Sequence, residues 1–186
     1  MSAVQLVFER TRKIAFSKHI GALGFAVLIG LGASWKVSLP FTPVPITGQT
    51  LFLLLGAAFL KRYYSLEMVG FYLLFGGLGL PFFAGGVGGW GYFTGATGGY
   101  LIGFVLASAL LGFGIDRCPK RWQQLLLFFV AAKVIFVPGL LWLKLFLNID
   151  WAKAIALGFT PFVIGDFLKI GLAFSLYSLP SLRVKN

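Results

Sequence analysis

Apolar residues in this chain gather into long, nearly continuous runs parted by short polar, prolyl or glycine-rich breaks. The runs are too unbroken for the alternating pattern of a membrane β-barrel, and a helical span takes about 20 residues. Six runs read as membrane helices: Ile20–Ser34, Gln49–Leu60, Leu66–Leu80, Gly98–Ile115, Leu125–Leu147 and Pro161–Leu179. The second and third are short. The predicted fold is therefore all-α, an integral membrane bundle of six transmembrane helices, with residues 1–186 forming a single transmembrane domain.

Composition agrees with that reading. Hydrophobic residues make up 59% of the 186 positions and charged residues 11%, with mean hydropathy +0.92. A soluble domain of this length needs more polar surface than that. Charge placement then supplies an orientation. Arg10, Arg12, Lys13 and Lys18 precede the first run, and Lys61 and Arg62 join the second and third. Arg117, Lys120 and Arg121 join the fourth and fifth, and Arg183 and Lys185 follow the last. The opposite connections hold only Lys36 and the pair Asp150 and Lys153, so the positive-inside rule places both termini in the cytoplasm. The formal charge of +11 is spread over short membrane-flanking loops, which fits topogenic charge and not a nucleic-acid surface. Ile20–Ser34 is read as a retained span and not as a cleaved signal, because its loss would spoil the even count.

Candidate chemistry lies in two outer connections and the last helix. Residues 37–50 carry Pro40, Pro43 and Pro45, which hold the backbone extended and predict a rigid loop before Thr47 or Thr50 caps the next helix. Residues 81–97 are uncharged and rich in glycine and aromatics, a composition suited to a lid over an outward-facing cavity for a small, flat, uncharged ring. Gly95, Gly99 and Gly103 recur every four residues and predict close helix packing. Asp166 and Lys169 share one helix face within an apolar run, where each charge costs roughly 2.5–3.5 kcal/mol to insert. Such residues mark a function by default. With Thr160 as N-cap and Pro161 at the first helical position, Phe162, Asp166, Lys169 and Ala173 form a stripe facing the bundle. Lys133 is also too deep to snorkel, but the sequence leaves its role open between the site and a partner interface.

Other chemistries lack their parts. The chain has one histidine, one cysteine and five acidic residues, so no catalytic set or Cys-based metal site assembles, and His19 reads as an interfacial side chain. No Gly-Lys-Ser/Thr phosphate loop occurs. The expectation is a protein that is not an enzyme, with no cofactor and no metal in this chain.

Taken in order, Pro43 to Thr47 with Gln49 and Thr50, Gly79 to Pro81 with Phe83 to Gly86, Thr97 to Tyr100 with Gly103 and Phe104, and Gly165 and Asp166 with Lys169 resemble the BioY family. The resemblance runs from about Ser17 to Leu176. The chain departs from the family's usual pattern at Gly48, at Lys61 to Tyr63 and at Gly95 to Thr97, all in turns. That family supplies the biotin-binding S-component of energy-coupling factor (ECF) transporters, which implies a multi-pass protein of a prokaryotic plasma membrane. The implied partners are a transmembrane coupling subunit and two cytoplasmic ABC ATPases, with ATP used only by the ATPases. A pocket for biotin needs an acceptor for the ureido N–H, donors for the ureido oxygen and apolar walls. Asp166 and Lys169 are the principal candidates, Gln49 and Thr47 further polar contacts, and Gly85, Gly86, Trp90 and Tyr100 the walls or lid. Ala22 and Ala26, with Gly30 one turn on, resemble the family's coupling interface, with close packing inside the chain as the other reading of that spacing. An S-component for another small vitamin, or a solitary or proton-coupled carrier, is the alternative.

Overall fold

The computed structural model describes residues 3–179, with side chains described from Phe16 onward. The basic positions Arg10, Arg12, Lys13, Arg183 and Lys185 lie outside the described side chains. Eight α-helices follow in order: α1 Ala3–Ser34, α2 Gln49–Leu60, α3 Arg62–Gly77, α4 Gly98–Gly114, α5 Arg121–Val134, α6 Phe136–Leu147, α7 Trp151–Gly158 and α8 Val163–Ser178. Two residue-pair strands, β1 Lys36–Val37 and β2 Ile46–Thr47, make an antiparallel clip with Lys36 opposite Thr47. Among the described residues, four helical segments are long and apolar enough to cross a membrane, namely Phe16–Ser34, Gly98–Arg117, Arg121–Leu147 and Trp151–Ser178. α2 and α3 fall short of that length. At 1.5 Å per residue, the 12 residues of α2 give only about 18 Å.

The fifth predicted run proves to be two helices. Pro138 has no amide to offer the carbonyl of Val134, and its ring crowds the preceding turn, so the helical pattern lapses at Ile135. α4 exploits the lapse. A side chain at Gly103 would run into the backbone of Ile135, and one at Gly99 into Pro138 and Trp142. Two of the three spaced glycines therefore do pack helices closely, while Gly95 precedes α4 and receives the indole N–H of Trp142 on its carbonyl at 2.9 Å.

α7 was not expected. Its eight residues lie in what the sequence reads as a connection, and Asp150 caps them by accepting the amide of Lys153 at 2.8 Å. This helix also corrects the expected start of the last one. Thr160 does not cap it; its hydroxyl donates to the carbonyl of Ile155 in α7 at 3.2 Å, and a 3₁₀ turn over Thr160–Phe162 precedes α8. Pro161 sits inside that turn, where its missing amide costs nothing.

The core follows the helices. α2 lies among α1, α3, α4 and α8, and α4 packs against α3, α5 and α6. Ala22 and Ala26 are wholly buried in these contacts, and a Cβ on Gly30 would meet the ring of Phe82. The stripe expected to face a coupling subunit is thus turned inward, and it serves the packing of α1 on α2 and α3. The opposite face of α1 exposes Ile20, Leu23, Val27 and Leu31. At one end of the bundle Lys61 reaches Asp116 at 2.7 Å, and His19 pairs with Glu67 at 2.7 Å.

Candidate functional site

α8 turns a single face inward. Phe162, Asp166, Ile170, Ala173 and Tyr177 along it are buried, whereas Ile164, Phe167, Leu168 and Leu172 are exposed. The charged turn therefore points into the bundle, as its spacing predicts. Asp166 has only 5% of its side chain accessible and stands between two cations. Lys133 donates to its Oδ2 at 2.9 Å, and the ammonium of Lys169 lies 3.9 Å from its Oδ1. Lys169 donates instead to the backbone carbonyl of Thr47 at 3.1 Å, so the first outer loop is tied directly to α8.

A second polar group, joined to this one through Thr47, lines the same cavity. The hydroxyl of Thr47 donates to the side-chain oxygen of Gln49 at 2.9 Å, and the amide nitrogen of Gln49 donates to the phenol oxygen of Tyr72. Tyr72 is wholly buried in an aromatic cluster with Phe82, Phe83 and Phe104. Beside Gln49, the Thr50 hydroxyl is buried and has no hydrogen-bond partner. A buried hydroxyl left in that state costs free energy that a ligand can return.

The cavity lined by these groups opens to solvent. Asp166, Lys169, Gln49, Thr47 and Tyr100, five of the eight expected binding residues, line it together. Thr50, Tyr72 and Tyr92 line it as well, and Phe104, Phe136 and Phe162 give it aromatic walls. Tyr100 is held by its hydroxyl, which donates to the carbonyl of Gly158 at the end of α7 at 2.9 Å.

The remaining three expected residues lie elsewhere. Gly85 and Gly86 turn the chain between the bridged residues Phe83 and Val87 at φ +88° and +72°, a conformation glycine adopts freely. The amide of Gly85 donates to the carbonyl of Ala33, which docks this turn on the end of α1. Trp90 stacks on Phe93 with its ring over Gly77 of α3, and it is 61% exposed. From the 81–97 connection, Ala84, Tyr92 and Thr97 reach the cavity in their stead. Tyr92 is fixed by stacking on Phe83 at 4.5 Å. No residue spacing signals which of several aromatics in an irregular loop turns inward.

Lys133 is the contact that the sequence left unassigned. Its ammonium sits 5.3 to 5.5 Å from the ring centres of Phe129, Phe136, Phe159 and Phe167 while bonding Asp166. Ring faces attract a desolvated cation at such distances. A lysine deep in an apolar run is a visible signal; its partner, 33 residues away, is not.

An apolar helical bundle with a concave site, a few convergent polar groups and a buried carboxylate between two half-buried lysines is the pattern of a membrane-embedded small-molecule-binding protein. The comparisons with known proteins refine that class. The chain belongs to the BioY family, whose model matches residues 8–185. It is 34% identical over 169 residues to "Biotin transporter BioY2" of Lactococcus lactis subsp. cremoris, covering 90% of this chain and 91% of the relative. It is 37% identical over 162 residues to "Biotin transporter BioY" of Thermotoga maritima, covering 87% and 92%. The fold is similar to a crystal structure of the S-component for biotin from an ECF-type ABC transporter, with TM-score 0.77 and 24% identity over 95% of this chain and 92% of that one. Membership places the chain among transport proteins and not among enzymes.

Proposed function

We propose that this chain is the biotin-binding membrane subunit of an ECF-type importer. The observation that carries the reading is the cavity that Asp166, Lys169, Gln49, Thr47 and Thr50 line together with aromatic walls. The fused ring of biotin presents N–H donors and a carbonyl acceptor on one edge of an otherwise apolar body. Asp166 accepts from the ureido N–H, Lys169 donates to the ureido oxygen, and Tyr92, Tyr100 and Phe104 enclose the rings. Residues 37–50 and 81–97 cover the outer mouth.

In this reading six segments span the membrane, with α5 and α6 acting as one and α8 as the last. Both termini are cytoplasmic, and the membrane is a prokaryotic plasma membrane. The contact of Lys61 with Asp116 supports it by bringing the α2–α3 and α4–α5 connections to one end of the bundle. A transmembrane coupling subunit and two cytoplasmic ATPases supply the energy, since the chain holds no nucleotide-binding motif of its own. Biotin is captured from outside and delivered inward as the subunit reorients.

The test is equilibrium binding of radiolabelled biotin to the purified chain, with thiamine and riboflavin as competitors. Saturable binding that excess unlabelled biotin displaces and the other two vitamins do not is the expected result. A folded protein that takes up no biotin, or that releases it equally to thiamine, would overturn the assignment.

A further inference from the structure

Asp166 has two oxygens and they are treated differently. Oδ2 is bonded by Lys133 at 2.9 Å, a cation that also lies within 5.5 Å of the ring centres of Phe129, Phe136, Phe159 and Phe167. Oδ1 lies 3.9 Å from Lys169, too far for a hydrogen bond, and Lys169 spends one donor on Thr47. The cavity therefore meets one open carboxylate oxygen beside one ammonium with donors to spare. Two lysines against one aspartate leave the site with a net charge of +1, in surroundings where charge is weakly screened.

We infer, resting on the biotin-binding reading above, that Lys133 is a positioning residue that fixes Asp166 as a one-sided anionic acceptor, and that the resulting surplus of positive charge makes the site reject a cationic ring. An acceptor and a donor about 4 Å apart match the adjacent N–H and C=O of a neutral ureido edge. They do not match a guanidinium, which has no acceptor for Lys169 and adds a third cation. With Lys133 neutralised, Lys169 is the one cation left beside Asp166, and a guanidinium in the ligand can pair with the carboxylate without becoming a third positive charge. Lys133 thereby governs which ring chemistry the site accepts without touching the ligand.

The test compares biotin with 2-iminobiotin, which carries the guanidinium in place of the ureido group, on the purified full-length chain at pH 7. The wild type is expected to favour biotin by about 10- to 100-fold, the range of a hydrogen bond to a charged group. In Lys133→Gln, which removes the charge but keeps a donor, biotin binding weakens while 2-iminobiotin binding holds or improves, so the preference shrinks at least tenfold. Lys133→Arg retains the charge and keeps the preference within about threefold. A purely structural role for Lys133 would weaken both ligands in parallel and leave their ratio unchanged in Lys133→Gln, and that result would overturn the inference. Equal affinities in the wild type would do the same. If Lys133→Gln does not fold, Lys133→Arg decides alone, since a tenfold change in its ratio contradicts a role through charge. A wild type that binds neither ligand removes the biotin reading itself and is told apart by its loss of biotin.

Discussion

The two faces of the cavity are built on different principles. On the α8 side, Lys133, Asp166 and Lys169 make an ionic group whose geometry is set by charge and by a cage of rings. On the α2–α3 side, Thr47, Gln49 and Tyr72 make a neutral chain of hydrogen bonds, with the Thr50 hydroxyl left over. Breaking a buried ion pair strands a charge, whereas breaking a neutral hydrogen bond strands a dipole, and the first costs more. Substitutions on the ionic side are therefore expected to cost more than substitutions on the neutral side.

That contrast gives a ranked set of outcomes in equilibrium binding. Asp166→Asn keeps the shape but removes the anion between two lysines, and it is expected to weaken biotin binding by about 100-fold or more. Lys169→Met removes the donor opposite the ligand oxygen and frees the Thr47 carbonyl, for a loss of roughly 10- to 100-fold. Gln49→Leu leaves the Tyr72 hydroxyl buried without its donor and is expected to cost about tenfold, with a lowered melting temperature. Thr50→Val replaces a hydroxyl that has no protein partner. Thermal stability should hold or rise because no protein hydrogen bond is lost, and a fall of about two- to tenfold in binding would place the hydroxyl on the ligand. Trp90→Ala, outside the cavity, should change affinity less than about twofold, within the range of surface substitutions. If Thr50→Val proves as damaging as Asp166→Asn, the division between the two faces does not hold.

Much of the ionic side was legible in the sequence, and for a physical reason. A charge in an apolar run stands out in one dimension, and the 3.6-residue period converts Phe162, Asp166 and Ala173 into a face without any tertiary information. The bounds of α2 at Gln49 and Leu60 were equally plain, because a proline-rich loop and a Lys-Arg pair enclose it. Pairings across the bundle were not. The bond from Lys133 to Asp166, and the choice of Tyr92 over Trp90 as cavity wall, depend on how distant segments meet. Ala22, Ala26 and Gly30 illustrate the limit from the other direction. Small residues at four-residue spacing announce a close approach but do not say to what, and here the approach is to the chain's own α2 and α3. α7 escaped notice because its eight residues merge with the run that follows them, although Asp150 in front of Trp151 marks its start.

The lapse at Ile135 is one of hydrogen bonding, since the residue itself keeps helical dihedrals of φ −58° and ψ −37°. Arg121–Leu147 thus serves as one spanning segment through it, with Lys133 and Phe136, three residues apart, on one side of the rod. A single rod therefore carries both the cation that bonds Asp166 and an aromatic wall of the cavity.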